Sequence, residues 1–213
     1  MPKIEQGSEK SFVFMRKINP VVKFLTISDI MVMGGFGFIL PIFAVFIVGR
    51  IDGGTVEVVG IAEGIYLFTR SIMQIPFGYL IDKIKGEKDD FWVMFIGTLL
   101  LSLVPILYIF CDTPIKLYVV QFLYGLVGAA TFPTWLAIFT RHIDKNREGL
   151  EWGVYQTFSG ISAAVFSALG GFVAFKYGFN VLFIIVSIFC LIGGFFLLGL
   201  YQHMVQGKVL RRK

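Results

Sequence analysis

The chain has 213 residues, of which 56% are hydrophobic and only 15% are charged, and its mean hydropathy is +0.80. Soluble domains are about 45–50% apolar and about 25% charged, so this composition excludes a soluble enzyme, a disordered chain and a disulfide-stapled secreted module. The net charge of +5 comes from basic residues at the ends of apolar blocks, which favours orientation in a bilayer over binding to nucleic acid.

The apolar residues fall into six blocks of about 20 residues or more, the length that an α-helix needs to cross about 30 Å of hydrocarbon. The predicted spans cover, in chain order, residues 22–48, 57–82, 91–111, 115–140, 149–176 and 179–204. The breaks between them are short and carry Gly, Pro, Asn or several charges, as turns do. The sequence therefore predicts an all-α membrane protein with six transmembrane helices. A flexible N-terminal segment (1–21) precedes the bundle (22–205), and a basic tail (206–213) follows it.

Lys and Arg are distributed unequally between the two ends of the predicted spans. The N-terminal segment, the second and fourth loops and the C-terminus carry fifteen of them, and the other loops carry only Arg50, Lys116 and Lys176. Basic residues concentrate on the cytoplasmic side of membrane proteins. Both termini are therefore predicted to be cytoplasmic, and the expected location is a prokaryotic inner membrane.

Three charged residues lie inside the predicted spans: Asp29 in the first, and Glu63 and Arg70 in the second. A charge at the bilayer centre costs about 2.5–3.5 kcal/mol or more, so such residues face a bundle interior or a watery cavity. Glu63 and Arg70 are seven residues apart and share a helix face, which Gln74 extends by one turn. The stripe is interpreted either as the lining of a solute path or as a structural lock between helices. Asp29 and Glu63 are also candidates for proton coupling.

One face of the fourth span combines small, polar and aromatic residues. Gln121, Gly125, Gly128, Phe132 and Trp135 follow one another at steps of four, three, four and three residues, so they share one side of a helix. Close packing through small residues accounts for the glycines. Gln121 and Trp135 are better candidates for contact with a solute.

The fifth span places Gln156, Ser159 and Ser162 at intervals of three residues. These side chains can form hydrogen bonds to a polar solute or to a neighbouring helix, and the sequence leaves both alternatives open. The two histidines, His142 and His203, fall at the cytoplasmic edge, away from any serine within a span. Neither a nucleophile–base pair nor a cluster of metal ligands is visible, so neither catalysis nor a cofactor is predicted.

The segment GYLIDKIKGEK at residues 78–88 resembles the signature of the major facilitator superfamily between its second and third helices. Gly78, Asp82 and Lys83 match that signature. The segment QFLYGLVGAATFP at 121–133 looks like the family's fourth-helix signature. The run from Arg141 into a fifth span that ends in LGGF, and KYGFNVLFII after it, are similar to the family in the same order. The resemblance covers nearly the whole chain.

The resemblance implies a conformational latch at the cytoplasmic end of the bundle, formed by Gly78, Asp82, Lys83 and Arg141. Two departures from the family bear on the transport mode. Gln121 stands where many members have an arginine linked to proton coupling. Phe166 and Ser167 replace the Gly-Pro pair of the antiporter signature. Both differences argue against a typical drug–proton antiporter.

The resemblance also implies a partner. Family members usually have twelve spans in two six-helix halves, related by an axis along the membrane normal, whereas this chain has one half. Because six spans leave both termini on one side, two copies can pair about such an axis. We expect a secondary transporter, a symporter or uniporter, that moves a small polar solute such as a sugar by alternating access as a homodimer.

The expected solute site is lined by residues from both copies. The residues are Asp29, Arg70, Gln74, Gln121, Trp135 and Gln156. In the expected dimer, Asp82 of one copy faces the start of the fifth helix of the other, near Glu151 and Trp152. The expected partners are a second copy, the solute and the lipid bilayer, without nucleic acid. The alternatives are a membrane scaffold that does not transport and one half of a heteromeric transporter.

Overall fold

The computed structural model describes residues 18–84 and 86–210, with side chains described as far as Tyr201. Six helices in that part of the chain are long and apolar enough to span a membrane. We name them α1 (Pro20–Arg50), α2 (Val56–Lys83), α3 (Glu87–Ile109), α4 (Pro114–His142), α5 (Glu148–Tyr177) and α6 (Phe179–Leu210). The prediction of an all-α protein with six spans is confirmed. Most of the predicted N-terminal segment lies outside the described residues, and α6 continues into the segment predicted as a tail.

The helix ends follow from local sequence. The Asn19 side chain caps α1 by accepting a hydrogen bond from the Val21 N–H at 2.9 Å, and Thr55 caps α2 in the same way through Val58 at 3.3 Å. Such caps satisfy N–H groups that have no partner inside the helix. Only Gly178, with a positive φ of 86°, separates α5 from α6. A glycine adopts this left-handed conformation without steric cost.

A proline interrupts the α-helical conformation of α1. The α-helical part Pro20–Ile39 passes through a 3₁₀ turn at Leu40–Ile42, which contains Pro41, into a second part at Phe43–Arg50. Proline lacks an N–H and disturbs the preceding turn of an α-helix. The turn therefore changes the path of α1 in the half that is predicted to face outward.

The main helix contacts run in the order α2, α4, α3, α6, α1 and α5. α1 packs against α5 and α6, α3 lies against both α4 and α6, and α2 rests mainly on α4. The α1–α5 contact is close: a Cβ atom added at Gly170 would lie 2.0 Å from the carbonyl oxygen of Phe38. A hydrogen bond from the Ser28 hydroxyl to the Gly193 carbonyl, 2.7 Å long, joins α1 to α6.

Two buried clusters fill the bundle, one in each half of its height. We call the two sides inner and outer after the predicted orientation. The outer cluster includes Phe46 and Phe183, and the inner cluster includes Leu25, Phe91 and Phe139. Residues such as Asp29 fall between the two clusters along their helices. The middle of the bundle is therefore the place where the apolar core is interrupted.

Two helices are much less covered than the others. Only 17% of the most apolar stretch of α2 and 11% of that of α5 are buried within the chain, against 39–50% for the other four spans. α2 and α5 therefore present most of their surface to whatever surrounds the bundle.

Candidate functional site

A cavity occupies the middle of the bundle, and we call it the central cavity. It brings together Asp29 from α1, Arg70 from α2 and Trp135 from α4. Three of the six residues predicted to bind solute therefore share one cavity. The remaining lining is largely apolar, with Tyr66, Phe132 and other residues of α1, α2, α3, α4 and α6.

Arg70 reaches the central cavity without a carboxylate partner. Its Nη1 donates a hydrogen bond to the Tyr66 hydroxyl at 2.8 Å, one helical turn away, and its guanidinium lies 4.9 Å from the centre of the Phe132 ring. Among the described residues, no Asp or Glu oxygen lies within 4 Å of the Arg70 guanidinium. Neutral and aromatic groups of this chain therefore hold a half-buried cation in place.

Asp29 is anchored from a different helix. The Tyr155 hydroxyl on α5 donates a hydrogen bond to the Asp29 carboxylate at 2.8 Å, so Asp29 faces Tyr155 and not Arg70. Trp135 stacks between the rings of Phe139, at 4.8 Å, and Tyr155, at 4.9 Å. The same tyrosine therefore positions both Asp29 and Trp135.

A second cavity lies toward the outer side, and we call it the outer chamber. It is lined by Glu63, Gln121 and aromatic side chains that include Tyr108. The buried Tyr108 hydroxyl donates a hydrogen bond to Gln121 Oε1 at 2.9 Å. The stacked rings of Tyr66 and Tyr124, 4.2 Å apart, line both cavities. Glu63 and Gln121 are thus placed in a compartment next to the Arg70 cavity.

Two predicted binding residues are not brought to either cavity. Gln74 is half-buried on α2, one turn beyond Arg70, and Gln156 is exposed on α5. Neither lines the central cavity or the outer chamber. Within this chain, the polar stripe predicted on α2 therefore contributes Glu63 and Arg70 to the cavities, but not Gln74.

The inner end of the bundle holds the residues of the predicted latch. Arg141, at the end of α4, forms an ion pair with Asp90, which is buried at the start of α3. Asp82 and Lys83 are exposed at the end of α2, and a Cβ atom on Gly78 would meet nothing within 4 Å. The chain therefore ties Arg141 to Asp90, and leaves the α2 part of the predicted latch open to a partner.

Four residues that shape these sites do not stand out in the sequence: Tyr66, Tyr124, Tyr155 and Asp90. The tyrosines were not separated from the many aromatic residues of the spans, although Tyr66 precedes Arg70 by one turn. Asp90 is one of several acidic residues before the third span. Only the tertiary structure distinguishes the carboxylate that meets Arg141.

Several relatives of this chain are named as transporters. An uncharacterized MFS-type transporter of Methanocaldococcus jannaschii is 27% identical over 79% of this chain and 42% of its own length. The uncharacterized transporter YybO of Bacillus subtilis is 26% identical over 62% of this chain and 30% of its own. The probable galactarate/D-glucarate transporter GarP of Escherichia coli is 25% identical over 63% of this chain and 30% of its own.

This chain spans less than half the length of these relatives. Its six membrane-capable helices and its archaeal and bacterial relatives identify it as an integral membrane protein, as predicted. The family model of the Major Facilitator Superfamily matches residues 25–210, from the first span to the last. The chain therefore belongs to the major facilitator superfamily.

Proposed function

We propose that this chain is one lobe of a secondary transporter, and that two copies form the complete transporter around a two-fold axis along the membrane normal. A small polar solute binds in the middle of the membrane, and the two lobes rock about it to expose it to either side. The observation that carries the proposal is the central cavity, which places Asp29, Arg70 and Trp135 together between two apolar clusters. Charged residues at this depth are costly, and inside membrane-spanning segments they commonly mark a substrate or ion path.

The relatives support transport as the activity, because each is named as a transporter. GarP is named as a probable galactarate/D-glucarate transporter, which suggests a polar, carbohydrate-derived solute for this chain. This class agrees with the charged and aromatic lining of the central cavity. Asp29 in the central cavity and Glu63 in the outer chamber are our candidates for proton coupling, because both carboxylates face space that a solute can enter.

A row of glycines on α2 supports the second copy. Gly60, Gly64 and Gly78 are separated by four and fourteen residues, which places all three within about 40° on one helix face. A Cβ atom at any of the three would meet nothing within 4 Å. Glycines inside the lobe behave differently: a Cβ at Gly125 would lie 2.7 Å from the Tyr66 carbonyl oxygen.

α5 carries a matching row. Gly149, Gly153, Gly160 and Gly171 share one face of α5 within about 40°, and a Cβ atom on any of them would also meet nothing within 4 Å. Small residues in membrane helices allow another helix to approach closely. The two rows lie on the two least buried helices, so each is suited to receive a helix from outside this chain.

The two rows complement each other in a two-fold dimer. Because depth in the membrane is conserved by an axis along the normal, Gly78 at the inner end of α2 meets the partner copy near Gly153. Asp82 then lies near the N-terminus of the partner's α5, whose partial positive charge favours a carboxylate. Glu151 is not the contact, because it is only 1% exposed and packs within its own lobe.

Disulfide crosslinking in membranes tests this assembly. Cysteines introduced by Gly78→Cys and Gly153→Cys should give a covalent dimer on mild oxidation, whereas the buried native cysteines should give none. A matched control keeps Gly153→Cys and replaces the first site with Ile96→Cys, which is exposed on α3. Equal crosslinking of the two pairs, or none of the first, would contradict the proposed interface.

Solute uptake by reconstituted protein tests the transport activity. The Arg70→Ala variant should lose uptake and keep the dimer, because Arg70 lines the cavity and not the exposed face of α2. A protein that dimerises but moves no solute would favour a scaffold. A protein that needs a second, different chain for uptake would favour one half of a heteromeric transporter.

A further inference from the structure

The serine and threonine hydroxyl groups around the central cavity have already donated their hydrogens to the backbone. Ser28 donates to the Gly193 carbonyl at 2.7 Å, Thr98 to the Met94 carbonyl at 2.8 Å and Thr131 to the Val127 carbonyl at 2.8 Å. These three side chains therefore offer a ligand only acceptor lone pairs. Ligands that need hydrogen-bond donors must obtain them elsewhere in the cavity.

Arg70 and Trp135 supply N–H donors to the cavity. The Arg70 guanidinium has five N–H groups, and one of its nitrogens donates to the Tyr66 hydroxyl. The indole N–H of Trp135 is buried and has no hydrogen-bond partner among the described residues. Asp29 shares the cavity but forms no ion pair with Arg70 within 4 Å, and it accepts a hydrogen bond from Tyr155 instead. The unused hydrogen-bonding capacity of the cavity therefore includes a positive charge and its donors.

Arg70 differs from two other basic residues, Lys116 and Arg141, which form ion pairs. Lys116 is paired with Asp112 and Arg141 with Asp90, both at helix ends. Arg70, in the middle of its span, has no acidic partner within 4 Å among the residues that the structure describes. A cation held in such a place is stabilised by an anion, and a guanidinium binds a carboxylate through two parallel hydrogen bonds.

We infer that the solute of the central cavity is an organic anion whose carboxylate is bound by Arg70. The rings of Phe132 and Tyr66, which hold the guanidinium, leave an apolar wall for the body of the solute. The inference rests on the proposed function, because it takes the central cavity as the solute site. It narrows the class of solute from polar molecules to organic anions. A neutral sugar offers no charge to match Arg70.

Matched pairs of probes test the inference on the purified protein in lipid nanodiscs. D-glucarate is compared with D-glucitol, and phenylacetate with phenylacetamide, each by the shift in thermal unfolding as its concentration rises. We expect at least one carboxylate to stabilise the protein, and its neutral counterpart to have no such effect. Equal shifts within both pairs, or no shift from either carboxylate, would overturn the inference.

Variants assign the effect to Arg70. Arg70→Gln should weaken the binding of the carboxylate by about tenfold or more, which is the scale of one charged hydrogen bond. Arg70→Lys keeps the charge and should bind with intermediate affinity, and it also serves if Arg70→Gln does not fold. Arg50→Gln, which removes an exposed arginine at the outer end of α1, should bind like the wild type. Unchanged binding in both Arg70 variants would contradict the assignment.

The binding assay separates this inference from the proposed function. If a carboxylate binds through Arg70 but is not taken up by proteoliposomes, the result supports the anion site and contradicts the proposed transport function. If a neutral solute is taken up and neither carboxylate affects its uptake, the result supports transport and contradicts the anion site.

Discussion

Gly170, at the outer part of α5, provides a sharp test of the packing. In Gly170→Ala, the new methyl group would lie 2.0 Å from the Phe38 carbonyl oxygen and 2.7 Å from its carbonyl carbon, so α1 and α5 must move apart. Overpacking typically costs about 1–3 kcal/mol, and a backbone contact belongs at the upper end. The higher helix propensity of alanine returns about 1 kcal/mol. We expect a net loss of about 2 kcal/mol.

Thermal unfolding of the purified protein measures this loss. For a chain of this length, about 2 kcal/mol corresponds to a decrease of about 4–8 °C in the midpoint. Gly49→Ala, at the outer end of α1, is the control, because a Cβ atom there meets nothing within 4 Å and alanine should leave the midpoint unchanged or slightly raised. A Gly170→Ala protein as stable as Gly49→Ala would refute the close contact of α1 and α5.

Three further predictions concern the ion pair, the anchored carboxylate and a buried thiol. Asp90→Asn should lower the free energy of unfolding by about 1–3 kcal/mol, because it weakens a buried acceptor of an ion pair, whereas Asp89→Asn should have a smaller effect in the same thermal assay. Tyr155→Phe removes the hydrogen bond to Asp29 and should reduce uptake more than stability; unchanged uptake would exclude a role for this contact. Burial raises the pKa of the Cys111 thiol to about 11, so its alkylation by iodoacetamide should be slow near pH 7 and accelerate as the pH rises toward that value, and rapid labelling of the folded protein near pH 7 would contradict this.

The number and limits of the helices could be predicted from the sequence because each span is a long apolar block. The largest difference at a start is in α3, which begins at Glu87, four residues before the predicted position. Acidic residues favour the first turn of a helix, so the charged run there belongs partly to the helix. Spans located by their apolar residues alone therefore leave out charged residues that form the first turn of the helix.

The site was predicted in part. Asp29, Arg70 and Trp135 were identified because charges and polar aromatic groups are unusual inside a span, and they share the central cavity. Gln121 was identified by the same argument but lies in the outer chamber, since the stacked pair of Tyr66 and Tyr124 stands at the junction of the two spaces. Partners on different helices depend on packing, which a single helix pattern does not encode.

The mass of the wild-type complex, measured by native mass spectrometry from lipid nanodiscs, tests the central claim most directly. We expect a complex of two chains of 23.9 kDa each. The Gly153→Leu variant should keep the thermal unfolding transition of a folded protein but remain a single chain. The contradicting result is a wild-type protein that is folded and monomeric, or one that forms a complex of defined composition with a different six-helix chain.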